Sequence, residues 1–387
     1  MSNISYSDSG VNYQALDPVK KLAQIAARST ARHLSSSGFT ESEDTRGESA
    51  YVWQQGDLLM ASVIEGLGTK NLVADAMRKI TGKTYYDIVS HDTVATIIND
   101  LVSVGAKPLA LFAYWAVGKS EWLADAERTK DLADGWKSAC DLAQVSWGGG
   151  ETPAYAGIIN PETIDLAGSA VGIIKDKNNL LTDKKIQAGD RIIFLKSNGI
   201  NANGLSLARA IANTPSSPPP YKGGGNRLPP LYKGRVGEGY GAKLPSGVMY
   251  GEALLTKTNI YAKLVQDLQA AEVDIHYITN ITGHGLRKVM RGRPNFTYVI
   301  EKIFEPLELF IFMQGQAGLS DFEMYQTFNM GQDYAIYLSA ADVARALEVI
   351  KQNNFTGIEA GFVEAGEKRV IIKPKNLEYK GETLDLR

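Results

Sequence analysis

Two short stretches concentrate residues able to bind a phosphorylated ligand: Glu65-Gly66-Leu67-Gly68-Thr69-Lys70 and Gly148-Gly149-Gly150-Glu151-Thr152. Glycines let the backbone approach a ligand closely and turn its N–H groups toward phosphate oxygens. A carboxylate beside such a turn suits magnesium, and a lysine balances phosphate charge. Neither stretch has the P-loop spacing, in which the second glycine runs straight into Lys and Ser or Thr. The pattern points to a nucleotide site of another architecture.

Three further clusters carry polar residues at regular spacing. A helix expected over His91–Val104 places Asp92, Thr96, Asn99 and Ser103 in one polar stripe, opposite Val94, Ile97, Ile98, Leu101 and Val102. Such a stripe is either a solvated face or, if buried, a set of groups that holds magnesium or orients ribose and phosphate. Ser197–Gly204, followed by Leu205-Ser206-Leu207, puts small polar residues at a helix amino terminus. That is a natural phosphate seat, although Asn-Gly pairs also mark ordinary turns. Ile281–Leu286 is a similar turn, in which His284 is either catalytic or a tolerated turn residue. His33 and His276 have no evident partners, and neither zinc-ligand spacing nor a nucleophile elbow occurs.

These residues need elements to position them. Leu58–Ile64 reads as a strand delivering the first glycine turn, Leu109–Val117 as a second strand and Glu121–Ala143 as a long helix. Val19–Arg32 reads as a helix, and Ile164–Ile174 as the strand that closes a first α/β domain. The pattern restarts with a strand at Arg191–Leu195 and a helix from Leu205. A helix over Tyr250–Gln269, regular segments at Thr282–Arg291, Leu307–Gln314 and Tyr325–Leu338, and a helix over Ala340–Asn353 follow. Residues 214–247 hold seven of the fourteen prolines and an imperfect repeat, so they read as a mobile insertion. The expected organisation is two α/β domains, 1–175 and 176–387, the second interrupted at 214–247.

Bulk properties exclude several classes. With 387 residues the chain can form two or three cores, and 44% apolar with 22% charged residues is ordinary for a globular protein. A net charge of −2 gives no general attraction to nucleic acid or anionic membrane. Cys140 is the only cysteine and sits in an apolar-periodic segment, so a buried, inert thiol and a reducing cytoplasm are expected. No apolar run spans a bilayer, and the first residues lack the pattern of a secretion signal.

Assembled in order, the motifs resemble the aminoimidazole ribonucleotide synthetase family, also called phosphoribosylformylglycinamidine cyclo-ligase. Tyr6-Ser7-Asp8-Ser9-Gly10-Val11 is similar to that family's Tyr-Lys-Asp-Ala-Gly-Val, and Glu65–Lys70 to its Asp-Gly-Val-Gly-Thr-Lys. Asn99-Asp100-Leu101 with Gly105-Ala106-Lys107-Pro108 resembles its Asn-Asp-Leu helix and Gly-Ala-Xaa-Pro turn. Gly149-Gly150-Glu151-Thr152, Asp165-Leu166-Ala167-Gly168, Asn203-Gly204-Leu205-Ser206-Leu207, Thr282-Gly283-His284-Gly285 and Thr327-Phe328-Asn329-Met330-Gly331 follow in the family's order.

The resemblance implies a two-domain α/β subunit whose amino-terminal sheets pair into a barrel in a homodimer. It also implies a cytoplasmic enzyme of purine biosynthesis that uses ATP and Mg2+ on a phosphorylated ribonucleotide. In residues, it implies Glu65, Asp92 and Glu151 as metal ligands, and Gly66, Gly68, Thr69, Lys70, Asn99, Gly149, Gly150 and Thr152 around ATP. Asn203, Gly204, Ser206, Thr282 and Gly283 fall to the substrate, with Lys70, Asp92 and His284 catalytic. Departures lie at Ser7 (lysine in the family), Glu65 (aspartate), Asn201 (histidine), Pro153-Ala154-Tyr155 (Ala-Glu-Met) and the glycine-rich loop, replaced by Ser35–Phe39. They leave open another phosphotransferase of the same superfamily or a non-catalytic nucleotide-binding paralogue.

Overall fold

The computed structural model describes residues 13–213 and 238–384. The amino-terminal motif Tyr6–Val11, Ser7 included, and residues 214–237 of the expected insertion lie outside the described residues. Within residues 238–247, Glu238–Gly241 forms a 3-10 turn, and Tyr240 and Leu244 are buried in the main core. Proline and glycine content does not separate a free linker from a loop pinned by two apolar side chains.

The first sheet holds β1 (Thr40–Glu41), β2 (Tyr51–Gln55), β3 (Leu58–Gly66), β4 (Lys107–Val117), β5 (Ser146–Glu151) and β6 (Ile164–Ile174), in the order β1-β2-β3-β6-β4-β5. Every pairing is antiparallel except β4 with β5. β3 and β6 alternate, with Leu59, Ala61, Val63, Leu166 and Ala170 inward. Among the helices, α1 (Tyr13–Arg28) and α2 (Arg32–Ser36) precede this sheet, while α3 (Lys70–Thr81), α4 (Tyr86–Val102) and α5 (Ala126–Ala143) connect its strands. The expected helix from Glu121 begins instead at Ala126, because Asp125 caps it by accepting from Arg128 N at 3.1 Å. α4 packs on β3 and β6, with α5 against it. Cys140 on α5 is buried, and burial pushes its thiol up to about 12, which makes it unreactive.

The second sheet holds β7 (Arg191–Lys196), β8 (Ile275–Asn280), β9 (Phe296–Ile300), β10 (Gln332–Leu338), β11 (Gly357–Ala365), β12 (Arg369–Ile372) and β13 (Leu377–Lys380), in the order β13-β12-β9-β11-β7-β10-β8. Its helices are α6 (Leu205–Asn213), α7 (Tyr250–Leu254), α8 (Ala262–Ala270), α9 (Glu308–Ala317), α10 (Asp321–Thr327) and α11 (Val343–Gln352). The expected helix Tyr250–Gln269 is two helices separated by residues 255–261. Tyr325–Leu338 likewise divides into the end of α10 and β10, at Met330 and Gly331, both with positive φ.

α4 lies between the two domains. Its Val94, Ile97, Ile98 and Leu101 share one apolar cluster with Tyr261, Leu264 and Tyr334 of the second domain. Asp92 and Asn99 are therefore buried, not solvated. No helix among the described residues is long and apolar enough to cross a membrane.

Candidate functional site

A cavity of about 420 Å³ opens where the domains meet. β3 and the turn after it contribute Glu65, Gly66, Leu67 and Gly68, and α4 contributes Thr96 and Asp100. The second domain supplies Ala202 and Asn203 from the turn before α6, with Thr282, Gly283, His284, Lys288 and Arg291 from the segment after β8. Lys20 and Gln24 of α1 and the loop Gly47-Glu48-Ser49 complete the wall. Gly204 has φ +79°, and a Cβ there would stand 2.3 Å from the Phe328 ring, so this turn requires glycine.

Charges of both signs meet in this cavity. Glu65 and Asp100 are hydrogen-bonded neighbours; burial and then the Asp100 carboxylate raise Glu65 to about 7, against the pull of Lys288 and Arg291. Asp100 also accepts from Asn280 Nδ2 at 2.8 Å. Lys288 is buried and donates to Thr282 Oγ1 and, at 3.3 Å, to Asn280 O. Burial, reinforced by Arg291, lowers its ammonium to about 8, with Asp100 and Glu65 opposing. Lys288 is thus mostly charged at neutral pH. Arg291 donates to Gly47 O at 3.1 Å and faces Glu48, whose Oε2 also accepts from Tyr277 at 2.8 Å.

His284 takes a left-handed backbone, φ +75°, where the family pattern has glycine. Burial and then Lys288, Arg287 and Lys20 drive its imidazole down to about 3. It presents a neutral ring to the cavity at physiological pH. Holding a non-glycine residue at positive φ costs backbone energy, a kind of strain that clusters at functional sites.

The expected residues divide in two. Glu65, Gly66, Gly68, Asn203, Thr282, Gly283 and His284 line the cavity, with Gly204 and Ser206 directly behind Asn203 at the start of α6. The structure revises Lys70, Asp92 and Asn99. Lys70 and Asp92 form a fully buried ion pair outside the cavity lining, and both Asp92 oxygens are taken, by Lys70 and by Thr258 N at 2.8 Å. Asn99 spends its amide on the same loop, donating to Asn259 O at 2.8 Å and accepting from Tyr261 N at 3.0 Å. Thr69 lies beside them with a buried Oγ1 that has no hydrogen-bond partner among the described residues.

The glycine strand also has another job. In β5, a Cβ on Gly150 would sit 2.1 Å from Ala113 O and one on Gly148 2.7 Å from the Phe112 ring. Gly149, at φ +112°, falls where the β4–β5 register shifts. These glycines are required by the sheet. Glu151 is paired with Tyr114 of β4, three strands away from Glu65, roughly 14 Å at the usual strand spacing. One ion cannot bind both within a subunit, and no cluster of three or more His, Cys, Asp or Glu suited to a metal occurs among the described residues.

Sequence reasoning missed Asp100, Glu48, Lys288, Arg291 and Lys20. Asp100 had a signal, since it follows Asp92 and Thr96 of the polar stripe at a further step of four. Lys288 had none, because a lysine in an Arg-Lys pair reads as surface charge.

Fold and cavity together define a two-domain α/β protein with a mixed-charge cavity at the domain junction. Residues 47–174 match the sequence model of the AIR synthase related protein, N-terminal domain, and residues 187–373 that of its C-terminal domain. The chain belongs to the AIR synthase related family. It is 30% identical over 348 residues to a phosphoribosylformylglycinamidine cyclo-ligase of Methanothermobacter thermautotrophicus, covering 90% of this chain and 91% of that one. A protein of the same name from Carboxydothermus hydrogenoformans is 35% identical over 323 residues, 81% and 83% of the two chains. The fold is similar to that of hydrogenase maturation protein HypE in complex with ATP, with TM-score 0.56 at 14% identity over 84% of each chain.

Proposed function

We propose that this chain is an ATP-dependent cyclo-ligase that converts formylglycinamidine ribonucleotide to aminoimidazole ribonucleotide in cytoplasmic purine biosynthesis. The observation that carries the proposal is the near end-to-end match to proteins bearing the cyclo-ligase name. In the proposed reaction, the formamide oxygen takes the γ-phosphoryl group of ATP, releasing ADP and giving an imino-phosphate. The amidine nitrogen then attacks that carbon, the C–O bond breaks, phosphate leaves, and a proton is lost as the imidazole closes.

The cavity residues divide this work. Lys288, Arg291 and Lys20 face the phosphoryl oxygens, and Lys288, the buried one of the three, stabilises charge there more strongly than a cation in water. The neutral His284 ring offers a hydrogen bond without adding charge. Gly66 and Gly68 allow close backbone approach, and Asn203, Gly204 and Ser206 at the start of α6 seat the ribonucleotide phosphate beside Thr282 and Gly283. Mg2+ fits the adjacent Glu65 and Asp100 carboxylates, since it usually takes one or two carboxylates and completes its shell with phosphate and water. Bound there, the ion would neutralise phosphate charge; Asp92 and Glu151 do not join this set.

The proposal includes a homodimer. The face of the first sheet away from α4 carries Met60, Ile64, Phe112, Tyr114 and Val171, with Ile64 76% and Phe112 40% exposed. An apolar sheet face of this kind is buried by pairing with a second copy.

ADP release from MgATP, measured with and without formylglycinamidine ribonucleotide while following the aminoimidazole product, tests the proposal. ADP and product should appear one for one. Intact ATP binding without substrate-stimulated turnover would reject it and point to another acceptor.

A further inference from the structure

Lys70 follows directly on the turn whose Gly66, Leu67 and Gly68 line the cavity, and it opens α3. Its ammonium group has three donors. One goes to Asp92 on α4, one to Thr256 O at 2.9 Å and one to Asn201 O at 3.2 Å. Neither Lys70 nor Asp92 exposes any side-chain surface, so no donor remains for a ligand.

The acceptors belong to two segments of the second domain. Thr256 lies in the loop between α7 and α8, which α4 grips through Thr258 N to Asp92, Thr258 O to His91 Nε2 at 2.8 Å, and Asn259 O to Asn99. Asn201 begins the turn that places Ala202 and Asn203 in the cavity. It has φ +60° and donates Nδ2 to Asp333, a buried carboxyl that also accepts from Tyr261 at 2.6 Å. Loop 256–261 is thus held by side chains where helix backbone bonds stop, which explains the break between α7 and α8.

We propose that the Lys70–Asp92 pair is a positioning device that holds the glycine turn of the first domain in register with the Asn201–Gly204 turn of the second. It couples two opposing cavity walls without touching the ligand. A buried ion pair is satisfied only while every partner stays in place, so a slip of one wall leaves a bare buried charge. The inference rests on the cavity being the ATP and substrate site, but not on which acceptor is used.

The test uses the full chain with Lys70→Met/Asp92→Leu, which replaces the pair by apolar groups and removes the unpaired charge that Lys70→Met alone would leave. Three quantities are read: the MgATP dissociation constant by calorimetry, kcat and KM for formylglycinamidine ribonucleotide, and amide exchange of residues 201–204 and 256–261. MgATP affinity should stay within about threefold while exchange in both segments rises at least about tenfold and kcat falls by a similar factor. A loss of MgATP affinity beyond about thirtyfold with unchanged exchange would make Lys70 a phosphate contact and overturn the proposal. Unchanged exchange with unchanged kcat would overturn it as well. If the double variant does not accumulate, Lys70→Arg, which keeps the charge but not the three-way geometry, is read by the same criteria. Absence of cyclo-ligase turnover in the wild-type chain would reject the proposed reaction, while affinity and exchange would still decide the role of the pair.

Discussion

Replacing Lys288 by Met should make the protein more stable and its site weaker. Burial and Arg291 bring this ammonium from 10.5 to about 8, so keeping the charge at neutral pH disfavours the folded state by about 3 kcal/mol. The substitution removes that cost but strips a donor from Asn280 O and Thr282 Oγ1, each bond worth roughly 1 kcal/mol. The net is a gain of about 1 kcal/mol at pH 7, or roughly 1 °C in Tm for a chain of this size. The sign with pH follows from the lowered value. Between 8 and 10.5 the unfolded chain binds more protons at this lysine, so wild-type stability rises with pH and the variant's advantage shrinks. Loss of a charge-assisted contact should weaken MgATP or the ribonucleotide by about 1.5–3 kcal/mol, roughly 10- to 150-fold. Urea denaturation at pH 7 and 9.5, with calorimetry for both ligands, checks each part. A variant that is less stable at pH 7 and binds both ligands normally would refute the reasoning and leave Lys288 a structural support.

Other outcomes follow from single contacts. His276 sits between Asp190 at 2.8 Å and Asp274 at 3.1 Å, and the Asp190 hydrogen bond raises its pKa. Its contribution is full below the ordinary histidine value and fades as pH rises through the raised one, so His276→Gln should cost more stability at pH 6 than at pH 8.5 by chemical denaturation. Ile64→Asp/Phe112→Asp should leave the subunit folded but monomeric; a dimer mass in sedimentation would exclude pairing through this sheet face. Gly150→Ala should destabilise the chain through the Ala113 clash, with MgATP affinity of the surviving folded protein unchanged. A short Gly/Ser linker in place of residues 214–237 should preserve the fold, whereas extending the replacement through Gly247 removes Tyr240 and Leu244 and should cost about 2–5 kcal/mol or more in a melting experiment.

Local chemistry was legible in the chain wherever one residue's surroundings are its own neighbours. Alternation in Ile164–Ile174 and the apolar periodicity of α4 follow from backbone geometry alone, and the strand at Arg191 and the helix from Leu205 were marked by flanking polar turns. The glycine turns at 66–68 and 282–283, with Asn203 and His284, were found because turns that approach a ligand need particular residue types. Strands β8, β9, β11, β12 and β13 escaped notice: β8 and β9 are buried at nearly every residue and so lack alternation, β11 has an irregular burial pattern, and β12 and β13 are only four residues long and carry little pattern.

What only the tertiary structure decided was the partner of each charge. Lys70, Asp92 and Asn99 have the right types for a nucleotide site, yet the second domain packs over α4 and supplies Thr256, Thr258 and Asn259 as their partners. Glu65 found Asp100 in place of Glu151 because the strand order separates β3 from β5, a fact that no local spacing encodes. Sequence specifies which groups a segment carries. Whether such a group faces ligand or protein depends on long-range packing, which removes water from some charges and leaves others to line a cavity.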